Sequence, residues 1–310
     1  MGHGHGHGHS HSHAAGRAAD RGRLRLVLAI TGSVLVLELV GAWLTGSLAL
    51  LADAGHMATD TAAIVLALGA SYVAARPAGP RSTFGWHRAE ILAAAVNALV
   101  LLVVCGYLLI EGVRRLMEPS EVEAGLMLVF AAGGLVANGV SLAVLNRSDT
   151  GSLNLRGAAT EVFADLVGSV VVVVAGVVIL TTGFARADAV ASLVIAVMIA
   201  PRAWWLLRDA AVVLLEIAPR DLDLDDVRRH LEAMPGVVDV HDLHAWTITS
   251  GMPSLSAHVT VTDEELERRG IGELLDRLSH CIAEHFGIDH ATFQVEPVSH
   301  RDHEHLGEPH

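Results

Sequence analysis

Two pairs of ionisable residues stand out because each lies within an otherwise apolar stretch of the sequence. His56 and Asp60 are four residues apart, and Glu161 and Asp165 repeat that spacing. Residues at i and i+4 share one face of an α-helix, so each pair presents two potential metal ligands on the same side. One imidazole nitrogen and three carboxylate oxygens would form a four-ligand cage suited to Zn²⁺, and also to Co²⁺, Fe²⁺ or Mn²⁺. We therefore predict a metal site where the two helices face each other.

The apolar stretches around these pairs are long enough to cross a membrane. The chain has 310 residues, of which 52% are hydrophobic, and its mean hydropathy is +0.47. Runs such as Ile91–Ile110 and Val167–Leu180 are almost free of charge and approach the ~20 apolar residues of a spanning helix. A buried helix of a large soluble protein would explain one such run, but not several. We predict six spans, over residues 24–44, 50–75, 88–115, 123–146, 157–182 and 187–208.

The energetic cost of an ionisable side chain at membrane depth gives the two pairs their significance. Insertion scales put that cost at ~2.5–3.5 kcal/mol or more, unless the group is paired or functional. A single His or Asp near a helix end can instead cap the helix or lie at the headgroups, and this alternative stays open for each residue alone. For matched pairs in two spans, a shared metal site is the better explanation. We expect Glu38, Asp53 and Asn97 to contribute surrounding hydrogen bonds or helix packing.

The distribution of arginine predicts the orientation of the chain in the membrane. Arginines concentrate in the N-terminal arm and in the connections after spans two, four and six, whereas the opposite loops carry few. By the positive-inside rule both termini lie in the cytoplasm, in agreement with an even number of spans. We expect a multi-pass protein of the inner or plasma membrane, in contact with lipid. The formal charge is −13, with the acidic residues concentrated after Glu216, and no nucleic-acid partner is expected.

The sequence outside the spans divides into two His-rich ends and one small domain. Residues 1–23 are low in complexity, and we predict a disordered, metal-collecting cytoplasmic arm, with a purification tag as the alternative. Residues 24–217 form the membrane domain, 218–298 a cytoplasmic domain that binds metal or dimerises, and 299–310 a His-rich tail. The cytoplasmic domain has the αββαβ order of a small, ferredoxin-like α+β sandwich. Its predicted elements cover residues 222–233, 237–249, 254–262, 264–286 and 291–298.

Segments in several parts of the chain resemble the cation diffusion facilitator family. They are Ser47–Asp60 in the second helix, Thr83–Glu90 before the third, Asn154–Asp165 at the fifth, and His241–Trp246 with Ser256–Val259 in the soluble part. The similarity extends over about residues 24–298. It implies a homodimer of six-helix protomers with cytoplasmic metallochaperone-like domains, which exchanges a divalent metal for protons.

The resemblance also implies metal ligands outside the spans. His87, at the cytoplasmic mouth of the third span, resembles an interface site between the membrane and soluble domains of some members. For His87 the alternative is a residue that only lies at the level of the lipid headgroups, and for the histidines of the soluble domain it is a solvated surface position. The implied ligands at the dimer interface are His241, His258 and Glu296, with His244, His285 and His290 as residues that could complete a site.

Glu161 departs from the family pattern, in which zinc-transporting members usually have His at this position. One neutral His and three carboxylates sum to a charge of −3, which leaves −1 when a divalent ion is bound. This harder ligand set favours Mn²⁺, Fe²⁺ or Co²⁺ more than a set with two histidines would. Zinc remains the predicted metal, and an exporter selective for Mn²⁺, Fe²⁺ or Co²⁺ is the alternative.

The predicted function is therefore a proton-coupled antiporter that exports a divalent transition metal, with H⁺ as the counter-ion, and not an enzyme. An intramembrane metalloprotease usually carries a His-Glu-x-x-His helix, which the sequence lacks. A membrane-tethered metal sensor or buffer would leave the paired ligands within the spans unexplained. A channel needs weak binding sites for fast conduction, whereas a four-ligand cage binds tightly.

Overall fold

The computed structural model describes residues 10–146 and 153–303 of the chain. They belong to two compact units, one formed by the chain up to Val65 with Asn97–Trp205, the other by Leu66–Val96 with the chain from Leu206 onward. Among these described residues, six helices are long and apolar enough to cross a membrane. These helices are α1 (Ser10–Thr45), α2 (Leu48–Ala74), α3 (Arg88–Met117), α4 (Ala124–Asn146), α5 (Leu153–Thr182) and α6 (Arg186–Leu214).

The six predicted spans are confirmed, with differences at their ends. Helix α1 begins at Ser10, so the prediction of disorder up to residue 23 is wrong for residues 10–23. This stretch contains four alanines, and alanine is the best helix former, so the apolar helix continues towards the N-terminus. Helix α6 likewise extends beyond the predicted end at residue 208, to Leu214. The rest of the predicted arm, residues 1–9, and residues 304–310 of the predicted tail lie outside the described residues.

The start of helix α2 is held by a carboxylate from a distant part of the chain. Asp188, at the beginning of α6, accepts hydrogen bonds from the backbone N–H of Leu48 at 2.8 Å and of Ala49 at 3.1 Å. The Ser47 hydroxyl donates to the same carboxylate at 2.5 Å. These bonds satisfy N–H groups that a helix leaves without partners at its first turn, and the negative charge suits the helix dipole. The position of α2, which carries His56, is therefore tied to α6.

The C-terminal part of the chain confirms the predicted αββαβ order. Strands β1 and β2 pair antiparallel, and β2 pairs parallel with β3, in the sheet order β1-β2-β3. Helix α8 was predicted as continuous but is broken at Gly270, whose φ of 75° lies outside the helical region. The elements are α7 (Leu224–Glu232), β1 (Val237–Thr249), β2 (Met252–Val261), α8 (Asp263–Phe286), β3 (His290–Pro297) and a 3₁₀ turn (Val298–His303).

The sheet of this domain has one apolar face and one face that carries polar side chains. Leu255, Ala257 and Val259 alternate along β2 and are buried in a core with apolar residues of α7 and α8. Successive side chains of a strand point to opposite faces, so His258 lies on the face away from this core. The backbone register pairs His258 with His241 of β1. The fold therefore places histidines of two strands side by side.

Candidate metal centre

Three of the four residues predicted to form the membrane site come together between α2 and α5. The His56 Nε2 atom lies 3.8 Å from Asp60 Oδ2 and 4.0 Å from Asp165 Oδ1, and one ligand atom from each residue lies within 4.8 Å of the others. Zinc–ligand distances are ~2.0–2.2 Å, so two ligands of one tetrahedral ion lie roughly 3.3–3.6 Å apart. The two distances from His56 exceed that spacing by less than about 1 Å. The cluster can thus hold a metal ion after small side-chain movements.

The cluster is enclosed by protein, and some of its polar atoms lack a partner. The side chains of His56 and Asp165 are 6% and 7% exposed, and that of Asp60 is 27% exposed. The buried atoms His56 Nδ1 and Asp165 Oδ1 accept or donate no hydrogen bond. A buried polar group without a partner costs about 1–3 kcal/mol. A bound cation would give the Asp165 oxygen a partner, so the donor set fits a metal.

Two cavities border this cluster. A cavity of about 260 Å³ is lined by residues of α1, α2 and α5, including Asp60, Glu161 and Asp165. A smaller one of about 90 Å³ touches His56 and residues of α5 and α6. The ligand atoms of the cluster therefore border cavities that are lined by different helices.

A buried network next to the cluster fixes the distance between α2 and α5. Asp53 accepts a hydrogen bond from the Ser169 hydroxyl at 3.3 Å, and Ser169 accepts one from the Asn138 amide at 3.3 Å. A Cβ atom added at Gly168 would lie 2.5 Å from Asp53 Oδ1. A larger residue at this position would require the Asp53 carboxylate to move or the two helices to separate. Asp53 therefore has the packing and hydrogen-bonding role that we expected of it.

Glu161 does not join the cluster, although it lies one turn before Asp165. Both of its carboxylate oxygens accept hydrogen bonds from the Arg202 guanidinium of α6, at 2.5 Å each. Arg202 also lies 3.9 Å from Asp60 Oδ2. Arg202 was not among the residues predicted to take part in the site. The signal that could have identified it was an arginine inside the predicted span 187–208, where an ionisable residue needs a partner.

A second cluster lies on the polar face of the sheet in the C-terminal domain. His241, His258 and Glu296 each offer a ligand atom within 4.8 Å of the others. His258 Nδ1 lies 3.2 Å from Glu296 Oε1, and the rings of His241 and His258 are 5.3 Å apart. The Glu296 side chain is only 3% exposed. The three ligands that the resemblance implied for this domain are therefore adjacent, on three different strands.

Two aspartates support the histidines of this second cluster. Asp239 Oδ2 lies 3.2 Å from His241 Nδ1, and Asp242 Oδ2 lies 3.6 Å from His258 Nε2. The other oxygen of Asp242 lies 2.8 Å from His244 Nε2. This hydrogen bond, together with the charges of the neighbouring histidines, lowers the pKa of Asp242. Asp242 is held at a positive φ of 48°, in a bulge between His241 and His244 that sequence reasoning did not predict.

The other histidines proposed as ligands lie outside both clusters of the described residues. His244 is half-exposed and pairs with Asp242. His285 Nδ1 is 3.0 Å from the backbone oxygen of Cys281, and the ring of His290 packs edge-on against Phe84 at 5.5 Å. His87 immediately precedes helix α3. The structure therefore does not bring His87, His244, His285 or His290 into a metal cluster.

Six membrane-spanning helices with a buried His and carboxylate cluster, followed by a soluble α+β domain, define an integral membrane protein equipped to handle cations. Comparison with known families identifies it further. The model of the cation efflux transmembrane domain matches residues 24–215, and that of the cation efflux protein cytoplasmic domain matches residues 219–298. The chain belongs to the cation efflux, or cation diffusion facilitator, family. The resemblance found in the sequence is thus confirmed, and divalent metal efflux is the function of this family.

Individual relatives are similar over most of the chain. The metal cation efflux system protein CzcD of Cupriavidus metallidurans is 44% identical over 276 residues, which are 88% of this chain and 85% of that protein. The zinc transporter ZitB of Escherichia coli is 40% identical over 88% of this chain and 87% of its own. A cadmium, cobalt and zinc/H(+)-K(+) antiporter of Bacillus subtilis is 37% identical over 88% of both chains.

Proposed function

We propose that this chain exports Zn²⁺ from the cytoplasm in exchange for protons, through a transport site that includes His56, Asp60 and Asp165. The observation that carries the proposal is the buried cluster of these three side chains between α2 and α5. An imidazole and two carboxylates enclosed by apolar helices are costly to bury without a partner. In a protein of a cation efflux family, the partner that this donor set favours is the transported ion.

The proton coupling follows from the chemistry of the ligands. His and carboxylate side chains must be deprotonated to bind a metal, so metal loading on the cytoplasmic side releases protons. Movement of the helices then exposes the cluster to the other side, where protons displace the metal. The downhill entry of protons supplies the driving force. The B. subtilis relative is named as a cadmium, cobalt and zinc/H(+)-K(+) antiporter, which supports this coupling.

Zinc is the proposed metal because the donor set contains an imidazole and because relatives are named as transporters of zinc, cadmium or cobalt. The alternative of Mn²⁺, Fe²⁺ or Co²⁺ selectivity depended on Glu161 as a third free carboxylate at the site. In the structure, both oxygens of Glu161 are engaged by Arg202 instead. This contact weakens the argument for a harder, oxygen-preferring site.

The proposal extends to the assembly and the cytoplasmic domain. We place both termini in the cytoplasm and the protein in the inner or plasma membrane as a homodimer. The match to the family's cytoplasmic domain supports dimerisation through residues 219–298. His241, His258 and Glu296 would bind a regulatory metal ion there, since an imidazole pair with one carboxylate suits zinc.

The test is metal flux in proteoliposomes with a pH gradient, with Zn²⁺, Mn²⁺, Fe²⁺ and Co²⁺ supplied separately. Asp60→Ala is the informative variant, and Glu118→Ala, which removes an exposed carboxylate between α3 and α4, is its control. We expect zinc-driven proton flux in the wild type and in Glu118→Ala, and none in Asp60→Ala. Undiminished flux in Asp60→Ala would exclude the transport site. Metal binding without any flux in the wild type would favour the sensor or buffer instead.

A further inference from the structure

The pair formed by Glu161 and Arg202 differs from other ion pairs in the membrane unit by its direct contact with the metal cluster. Arg202 donates to both oxygens of Glu161 and also lies 3.9 Å from Asp60 Oδ2. A guanidinium with two parallel bonds to a carboxylate is the strongest and most directional form of ion pair. Arginine is effectively always protonated. A permanent positive charge is therefore a neighbour of the proposed transport site.

The formal charges of the cluster and of the adjoining pair match a divalent ion only when Arg202 is counted. Asp60, Asp165 and Glu161 sum to −3, and His56 is neutral when it binds metal. A divalent ion then leaves −1 beside the buried side chains of His56 and Asp165, where an uncompensated charge is unfavourable. Arg202 brings the sum of the four ionised residues to −2, which a divalent ion neutralises. Asp53, a buried carboxyl that Ser169 holds nearby, is the same in all the variants and does not change the differences between them.

Resting on the function proposed above, we propose that Arg202 is a specificity-determining residue of the transport site. It acts with Glu161 as a neutral pair, so that the site presents a charge of −2 to the metal. Glu161 thus contributes to the site as the partner of Arg202 rather than as an independent ligand. The pair sets how tightly a divalent ion is held and how readily it leaves.

The proposal predicts opposite effects for the two halves of the pair. Arg202→Gln leaves the site at −3, so a divalent ion is held more tightly and released more slowly. We expect the KM for zinc to fall about tenfold and kcat to fall with it, because close charges in a protein interact strongly. Glu161→Gln leaves −1 with Arg202 present, so the KM for zinc should rise about tenfold.

The double variant Glu161→Gln/Arg202→Gln restores the charge of −2. Its KM should return to within about threefold of the wild-type value, which is a non-additive result that a double-mutant cycle measures directly. A salt bridge that only holds α5 to α6 would behave differently. Its two single variants would shift KM and stability in the same direction, and the double variant would recover neither.

Two further variants keep the experiment decisive. Arg202→Lys retains the charge and should keep KM within about threefold of the wild type. Arg186→Gln removes an arginine from the start of the same helix, away from the cluster, and should leave KM unchanged. If a single variant is poorly folded in detergent, Arg202→Lys and the double variant still test the charge requirement. A loss of flux in both of these would overturn the proposal.

Equilibrium zinc binding to the purified proteins separates this inference from the function on which it rests. The relevant binding is the component that Asp60→Ala removes. In one outcome, the Kd of this binding shifts in opposite directions in Arg202→Gln and Glu161→Gln, but the wild type shows no zinc flux. That outcome would support the charge balance at the site and reject export. In the other outcome, Asp60→Ala abolishes zinc flux, but Arg202→Gln and Glu161→Gln change the Kd in the same direction or additively. That outcome would support export and reject the role of Arg202.

Discussion

The membrane cluster and the cytoplasmic cluster bring similar side chains together by different means. In the membrane unit, His56 and Asp60 lie on one helix and Asp165 on another, and their distances depend on how α2 packs against α5. In the cytoplasmic domain, His241, His258 and Glu296 lie on three strands of one sheet, where hydrogen-bonded register sets their spacing. The first site changes when helices shift, whereas the second changes only when strands separate.

This difference suits the two proposed roles. A transport site must release its ion, so its ligands need to move apart at modest cost. A regulatory or structural site retains its ion, and neighbouring strands keep the ligands in place. Polar support also differs, because Arg202 contacts the membrane cluster, whereas aspartates accompany the cytoplasmic histidines. If the two sites are independent, a change in the ligands of one should leave metal binding at the other intact.

The largest effect is expected from Asp165→Asn. This change keeps the shape of the side chain but removes a charged ligand from the membrane cluster. We expect zinc flux in proteoliposomes to fall at least about 100-fold, because binding of a divalent ion then lacks one anionic donor. Zinc binding by the cytoplasmic cluster should be unchanged. Equal losses at both sites would show that they are not independent.

The converse change is His258→Ala in the cytoplasmic cluster. We expect the protein to lose one bound zinc ion per protomer by equilibrium dialysis, because only His241 and Glu296 remain at that site. Flux should fall by less than about tenfold. His280→Ala, which removes a histidine that is 79% exposed, is the matched control and should change neither quantity. Complete loss of flux in His258→Ala would make the cytoplasmic site part of the transport route.

An intermediate effect is expected from Asp242→Asn. Asp242 contacts His258 and His244, and loss of such a support of a metal ligand typically lowers affinity 10–100-fold. We expect about a tenfold increase in the Kd of the cytoplasmic site for zinc, measured by titration calorimetry. Asp276→Asn, an exposed carboxylate of α8, should leave that Kd unchanged. An unchanged Kd in Asp242→Asn would show that Asp242 shapes the bulge in β1 but does not support the metal ligands.

Gly168→Ala tests whether the membrane cluster depends on helix packing. The added methyl group would lie 2.5 Å from Asp53 Oδ1, so either the Asp53 carboxylate must turn away or α2 and α5 must separate. Overpacking of this kind costs about 1–3 kcal/mol, and we expect a lower Tm in detergent together with reduced flux. Gly176→Ala in the same helix would meet Leu128 at an ordinary 3.5 Å and should have little effect. Similar results for the two variants would contradict the close approach at Gly168.

The smallest effect is expected from Glu265→Gln, which affects only the scaffold of the cytoplasmic domain. Glu265 accepts hydrogen bonds from Arg268 and Arg269, which lower its pKa. The pKa of Glu265 in the folded protein is therefore below its value of about 4.3 in the unfolded chain. The ionised Glu265 thus stabilises the folded state above a pH of about 4.3, and this contribution is lost as the pH falls through the folded pKa. We therefore expect a slightly lower Tm for the variant at pH 7. The difference in Tm between the wild type and the variant should vanish in acid. A difference in Tm that does not change with pH would show that ionisation of Glu265 does not stabilise the domain.

Much of the architecture could be read from local patterns. Apolar runs of sufficient length predicted the six spans, and alternation in β1 and β2 predicted the αββαβ order. The spacing of His56 from Asp60 placed both on one helix face, which the structure shows. Errors occurred at ends and interruptions, such as the helical start at Ser10 and the break at Gly270. At such positions the residues tolerate more than one backbone conformation, so local sequence preference does not determine where a helix begins or breaks.

The sequence by itself determined which residues could act as ligands and on which elements they lie, because periodicity within one helix or strand is a local property. Only the tertiary structure decided which of them meet. Arg202 and Glu161 are far apart in the sequence, as are Asp188 and the first turn of α2. The rotation of each helix about its axis, set by packing between helices, determines such pairs. For that reason Glu161 could be predicted as a ligand, while its pairing with Arg202 could not.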